Sequence, residues 1–152
     1  PAPEPRRVAK EKTSVQLRQL LELVVADGTG NNAYVDGYHV GGKTGTAEKN
    51  AGGRYEKNAL LSSFLGAFPI QDPRYVILTM IDEPKGTKDT YGYATGGWTA
   101  APVVARVVEQ IAPLYNIAPD HSRGKKDIEN EMAAYLKELK KGDAVASVGT
   151  DN

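Results

Sequence analysis

The chain has 152 residues, of which 40% are hydrophobic and 25% charged, with 19 basic and 19 acidic side chains and no cysteine. That length suits one modest domain or part of a larger one, and the balanced charge gives no general attraction to nucleic acid. The lack of cysteine removes disulfides, thiolate metal sites and a thiol nucleophile. No apolar run reaches membrane-span length, and the Pro-rich start is not a signal peptide.

Residues 1–12 open with Pro-Ala-Pro-Glu-Pro, become charged, and read as an extended lead-in. Thr13 and Gln16 have capping-box spacing, and Val15, Leu17, Leu20, Leu21, Val24 and Val25 recur at mostly helical spacing. A first helix over about 14–26 follows, stopped at Asp27-Gly28. Gly28-Thr29-Gly30-Asn31-Asn32 is a loop by composition. A strand is expected over 37–48, its glycines suiting a sheet edge where another backbone approaches. Residues 50–58 form a polar, Gly-containing loop, 60–68 a second strand and 75–81 a third. The third is almost wholly apolar and is expected to be central, covered on both faces. The connections are too short for parallel crossovers, so pairing is antiparallel.

Residues 82–97 form a long loop, with Tyr91, Tyr93 and Trp98 packing it down. A second helix over about 100–112 has Thr99 as its cap, Pro102 in its first turn and a valine-rich stripe. Residues 116–126 are a linker, with the basic run from Arg123 to Lys126 solvated. An extra helix over 127–141 carries Ile128, Met132, Tyr135, Leu136 and Leu139 on one face, and 142–152 is a flexible tail. The sum is an α+β unit of three antiparallel strands packed with helices, with residues 13–115 as its body. A central third strand would need a neighbour from outside this chain.

Chemistry concentrates in Val40-Gly41-Gly42-Lys43-Thr44-Gly45-Thr46-Ala47. Glycine lets a ligand approach the main chain, and lysine adds a fixed positive charge, so an anionic ligand is indicated. Two motifs compete. Gly37 to Thr44 satisfies G-x-x-x-x-G-K-[ST], the phosphate loop of nucleotide hydrolases, and Val76 to Asp82 imitates its metal-positioning strand. A phosphate loop, however, needs a helix starting at its lysine. Here the lysine is followed by Thr44-Gly45-Thr46 and soon by Asn50-Ala51-Gly52-Gly53, which is poor helix.

The second motif is Lys43-Thr44-Gly45-Thr46-Ala47. With it come Val24-Val25 and Gly28-Thr29-Gly30 upstream, Ser62-Ser63-Phe64-Leu65-Gly66 with Phe68-Pro69, Tyr75-Val76-Ile77 running to Asp82-Glu83-Pro84, Tyr91-Gly92, and Ala100-Ala101-Pro102-Val103. In this order the chain resembles, over about residues 6–114, the C-terminal part of the transpeptidase domain of class B penicillin-binding proteins. Tyr38-His39-Val40-Gly41-Gly42 and Asp82-Glu83-Pro84-Lys85-Gly86 look most like the division-type (septal) members from Gram-negative bacteria. The resemblance implies the penicillin-binding protein/β-lactamase-like fold and peptidoglycan D,D-transpeptidase activity, with D-Ala-D-Ala stem peptides and β-lactams as ligands. It also implies a periplasmic address at the inner membrane, with the anchor outside this chain, and no cofactor. A non-catalytic interaction module keeping the same fold is the further alternative.

The resemblance makes Lys43, Thr44, Gly45 and Thr46 substrate-binding and gives Lys43 and Thr46 catalytic roles. The Lys43 ammonium supplies positive potential, and the Thr44 and Thr46 hydroxyls bond a peptide carboxylate. Gly45 leaves room for an extended peptide along the edge, and the Thr46 N–H is one of two oxyanion donors. The family's nucleophilic Ser-x-x-Lys and its Ser-x-Asn are missing. Ser122-Arg123-Gly124-Lys125 matches the first by spelling alone, in a charged linker. The chain is therefore expected to be a fragment that has no nucleophile, is inactive alone, lacks the N-terminal part of its own domain, and either self-associates through 75–81 or buries that edge with its own extra helix. His39 reads as a polar strand position and His121 as a linker residue, so no metal constellation forms. Asp82 and Glu83 read as loop anchors rather than an acid/base pair.

Overall fold

The computed structural model describes residues 6–51 and 54–148. The elements are α1 (Glu11–Asp27), a single 3-10 turn (Asn31–Ala33), β1 (Gly41–Ala51), β2 (Arg54–Phe68), β3 (Tyr75–Asp82), α2 (Gly96–Thr99), α3 (Ala101–Leu114) and α4 (Lys125–Val148). The three strands form one antiparallel sheet in the order β1-β2-β3, the α+β arrangement expected.

Several boundaries differ from the sequence reading. Helix α1 begins at Glu11, inside the expected lead-in, and Lys10 rather than Thr13 stands at its N-cap with no side-chain cap bond. An acidic residue in the first turn complements the helix dipole, and Glu11 also pairs with Arg7 at 2.7 Å. Residues 1–5 lie outside the described residues. Residues 37–40 precede β1 rather than belonging to it. Gly37 turns the chain at φ +76°, where a side chain would be strained and would also meet His121. The expected 50–58 loop is largely strand: Asn50 pairs with Tyr55 and Ala51 with Arg54, after a register shift between Glu48 and Asn50. Across that shift Lys49 alone on β1 faces the four β2 residues 56–59, an irregularity larger than a one-residue bulge; backbone pairing in a hairpin arm does not require apolar side chains.

Ala100, not Thr99, caps α3; Thr99 belongs to α2 and donates its hydroxyl to Thr95 O. Pro102 sits in the first turn of α3 as expected. Helix α4 runs from Lys125 to Val148, beyond the expected 127–141; of the expected tail, residues 149–152 lie outside the described residues.

The core forms where α3 crosses the sheet. Ala101, Val104, Val108 and Ala112 recur on one face of α3 and are fully buried. Phe64 and Phe68 of β2 are fully buried with them, and Ile77, Ile81 and Tyr75 of β3 pack against that cluster. Directly opposed residues share a sheet face. Thr44, Phe64 and Thr79 therefore lie toward α3, whereas Lys43, Leu65 and Leu78 lie on the opposite face. That opposite face is open. Leu65 is 48% exposed, Val76 68%, Leu78 58% and Met80 56%. The expectation that 75–81 is central and covered on both faces is not met within this chain: among the described residues β3 is an edge strand with one covered face. The apolar content of Val76, Leu78 and Met80 reflects a face that no described residue covers.

Helix α4 lies along α1. Ile128 and Met132 are buried, and Gln16 Nε2 donates to the Tyr135 hydroxyl. The apolar stripe expected on this helix thus packs against α1 through Ile128 and Met132.

Phe64→Ala should cost about 3–5 kcal/mol, the range for removing a buried aromatic ring. Urea unfolding of the two proteins checks this; an unchanged midpoint would mean that the α3–sheet interface is not the stabilising core.

Candidate functional site at the free edge of β1

β2 occupies one edge of β1, and the other edge faces a cleft of about 280 Å³ lined by Thr29, Thr44, Thr46, Thr95, Gly97 and Trp98. Three segments make this cleft. The turn after α1 brings Thr29, with Gly30 N donating to Val24 O at 3.0 Å to close the helix end. β1 brings Thr44 and Thr46 into the lining, with Lys43 bonded to Thr44 beside it. The segment leading into α3 brings Thr95, Gly96, Gly97 and Trp98.

The polar atoms are joined. Lys43 Nζ donates to Thr44 O at 3.0 Å and to Thr44 Oγ1 at 3.1 Å. The lysine therefore bends from the open sheet face round the strand edge to the threonine hydroxyl. Thr44 Oγ1 lies 3.0 Å from Thr29 Oγ1. Thr46 Oγ1 accepts from the Gly96 N–H at 3.1 Å. The structure thus brings together Lys43, Thr44 and Thr46, which the sequence singles out, and adds Thr29 and Gly96.

Close backbone contacts hold the cleft walls in place. A side chain at Gly96 would meet Ser63 O at 2.2 Å and Gly45 O at 2.6 Å, and one at Gly97 would meet Thr29 O at 2.2 Å. Asn32 Nδ2 donates to Gly97 O at 2.9 Å. Ser62, buried on β2, donates to Ala94 O at 2.5 Å and fixes the same segment from below. At Gly45 a side chain would meet Ser63 Oγ at 2.5 Å, so the cross-strand serine adds a second requirement for glycine there. Tyr93 stacks on Trp98 at 5.6 Å, with Tyr91 edge-on to the same ring at 5.5 Å. As expected, these aromatics pack the loop together.

The other residues considered lie elsewhere. Ser122 is exposed, its N–H donating to Asp120 Oδ1 at 2.9 Å, and Lys125 instead bonds Asn31 Oδ1 at 3.2 Å. Asp82 and Glu83 each take a hydrogen bond from Lys49 near the hairpin arm, and those two bonds, Glu83's first, raise the Lys49 pKa. That is the loop-anchoring role expected. Among the described residues, no three His, Asp or Glu side chains group as a metal site. No helix among them is long and apolar enough to cross a membrane.

His39 corrects its sequence reading. It is not a strand position, since it precedes β1, and it is buried: its side chain is 7% exposed, and Nδ1 lies 3.0 Å from Oε1 of buried Glu22. Gln71 Nε2 also donates to that carboxylate at 2.9 Å, and the Arg123 guanidinium reaches both its oxygens at 3.4 Å. Arg123 in turn donates to Glu131 Oε2 at 2.6 Å. Arg123 is therefore not part of a solvated basic run. Glu22 sits within an amphipathic helix among leucines, and only the fold reveals that its partners come from three other segments. This cluster joins α1, the approach to β1, the β2–β3 turn and α4.

Residues 1–109 match the family described as the penicillin binding protein transpeptidase domain. The chain is 43% identical over 121 residues to stage V sporulation protein D of Bacillus subtilis, covering 80% of this chain and 18% of that protein. It is 44% identical over 124 residues to the probable peptidoglycan D,D-transpeptidase FtsI of Caulobacter vibrioides, covering 76% of this chain and 21% of that protein. The chain thus spans about a fifth of the length of these relatives. Among solved structures, it is similar to the transpeptidase domain of Burkholderia pseudomallei penicillin-binding protein 3. There the TM-score is 0.64 at 37% identity, over 76% of this chain and 34% of that one. Mycobacterium tuberculosis penicillin-binding protein 3, complexed with ampicillin, gives a TM-score of 0.67 at 31% identity, over 81% of this chain and 29% of that one. Helix α4 lies beyond the family match.

Arg123→Ala should destabilise the chain by about 3 kcal/mol, because it leaves the Glu22 carboxylate buried with fewer donors. Urea unfolding measures the loss, and hydrogen exchange should show α4 amides opening first. Unchanged stability would mean that Glu22 is satisfied without the guanidinium.

Proposed function

The chain belongs to the penicillin binding protein transpeptidase domain family, of class B and with division-type relatives, and on that premise we propose that it forms one wall of a septal peptidoglycan D,D-transpeptidase site. The observation that carries this reading is the Lys43–Thr44–Thr29 chain of polar contacts beside Thr46 on the unpaired edge of β1. A peptide ending in D-Ala-D-Ala presents a carboxylate. Lys43 supplies positive potential, and the Thr44 and Thr46 hydroxyls donate to it. An extended peptide or a β-lactam lies along the edge as an added strand would. The Thr46 N–H is one of two donors to the oxyanion that develops on the attacked carbonyl.

The nucleophile comes from outside these 152 residues. Lys43 shares a sheet face with Leu65 and Leu78, and Val76 and Met80 extend that apolar patch. A layer covering the patch excludes water from it and sets its own residues beside Lys43. We assign that layer to the remainder of the same domain, which fits the 34% share of the solved Burkholderia domain that the chain spans. The full-length protein works at the periplasmic face of the inner membrane, with its anchor outside this chain. A nucleotide hydrolase reading gains no support, because Lys43 lies within β1 and the strand continues to Ala51 where that loop would start a helix.

Labelled penicillin tests this directly. The full-length protein should form a covalent adduct, and Lys43→Ala should slow its formation about 100-fold, as expected for losing a principal electrostatic stabiliser. The isolated chain should form none. An adduct on the isolated chain, or no adduct on the full-length protein, would contradict the reading; the second result would favour a non-catalytic module.

The isolated chain should also self-associate through the open edge and face of β3. Sedimentation should detect dimers or larger species. A monomer with fast amide exchange along Val76–Ile81 would count against this.

A further inference from the structure

We propose that Thr29 is a positioning residue that aims the Thr44 proton at the ligand carboxylate; this rests on the transpeptidase reading above. Lysine ammonium is a donor only, whereas a hydroxyl has one proton and two acceptor lone pairs. Lys43 Nζ, 3.1 Å from Thr44 Oγ1, fills one of those lone pairs. Thr29 Oγ1, 3.0 Å away, is the other partner. If Thr44 donated to Thr29, its proton would be spent within the wall and its remaining lone pair would face the carboxylate. Such an arrangement repels the ligand. When Thr29 donates instead, both Thr44 lone pairs are occupied and the Thr44 proton is left to point into the cleft. An incoming carboxylate, an acceptor only, selects that second arrangement.

Thr29 is built to hold this position. Gly30 N closes the α1 end on Val24 O, and Gly97 packs so closely that a side chain there would meet Thr29 O at 2.2 Å. Asn32 ties the same backbone to Gly97 O at 2.9 Å. The Thr29 backbone is thereby wedged between the α1 end and the segment leading into α3, and its hydroxyl is presented to Thr44 and the cleft. Thr29 need not touch the ligand; it acts through Thr44.

The test uses the full-length protein with benzylpenicillin and benzylpenicillin methyl ester, which lacks the free carboxylate. Thr29→Val keeps the shape and removes the hydroxyl; Thr29→Ser restores it. Thr29→Val should lower acylation efficiency toward the acid about three- to tenfold, the effect of one net hydrogen bond. The loss should fall mainly on the binding constant rather than on the limiting acylation rate. The ester should be affected less, so the acid-over-ester preference drops, and Thr29→Ser should recover the acid rate. Equal losses for acid and ester, or no loss for either with a wild-type protein that acylates normally, would overturn the assignment of Thr29. A wild-type protein that is not acylated at all would instead overturn the transpeptidase reading. Thermal unfolding of Thr29→Val identifies a folding defect; if it is destabilised, the acid-over-ester ratio of Thr29→Ser against Thr29→Ala, measured well below their unfolding temperatures, decides the question.

Discussion

Everything at the candidate site depends on β1 being paired, among the described residues, on one side only. Its hydrogen bonds to β2 fix register, so that Lys43 opposes Leu65 and Thr44 opposes Phe64. Because side chains alternate, this register sends Lys43 to the open face and Thr44 to the covered one. A slip of one residue would exchange them and break the edge cluster. The long hairpin that resists such slippage continues past the apolar residues into a polar arm, where Asn50 and Ala51 still find partners. Lys49 adds a second tether by reaching the carboxylates that end β3.

The covered face carries the stability and the open face carries the interaction potential. Phe64 anchors β2 under α3, two residues from Ser62, which holds the Thr95–Trp98 segment over β1. Core packing and cleft geometry are thus properties of the same strand. On the other side, four large apolar side chains stand partly in water, an arrangement that isolated soluble domains keep small. The two faces explain how the described residues can have a well-formed core and still present an apolar face that none of them covers. Helix α4 adds a layer outside the family match, tied through Arg123 to a carboxylate that already serves α1, His39 and Gln71.

The features readable in the sequence were those set by local rules. The valine stripe of α3, the antiparallel connections and the Lys-Thr-Gly edge all depend on spacing within a few residues, and each is found in place. Features that depend on distant partners were not readable. Nothing near Glu22 signals that its charge will be buried against His39, Gln71 and Arg123. Thr29 looks like a loop residue until the α1 end is folded against β1. The polar hairpin arm lacks the apolar alternation by which strands are recognised, and β3 has the composition of a central strand although the described residues cover only one of its faces. In that last case the apolar composition is matched by packing on one face only among the described residues.

The most direct test is a crystal structure of the full-length protein after reaction with benzylpenicillin. The account predicts that the β-lactam carboxylate lies within hydrogen-bond distance of Thr44 Oγ1 and Thr46 Oγ1 along the free edge of β1. The acyl bond should be to a serine outside these 152 residues, approaching from the side of Lys43. A carboxylate bound away from β1, or an acyl bond to Ser122, would contradict it.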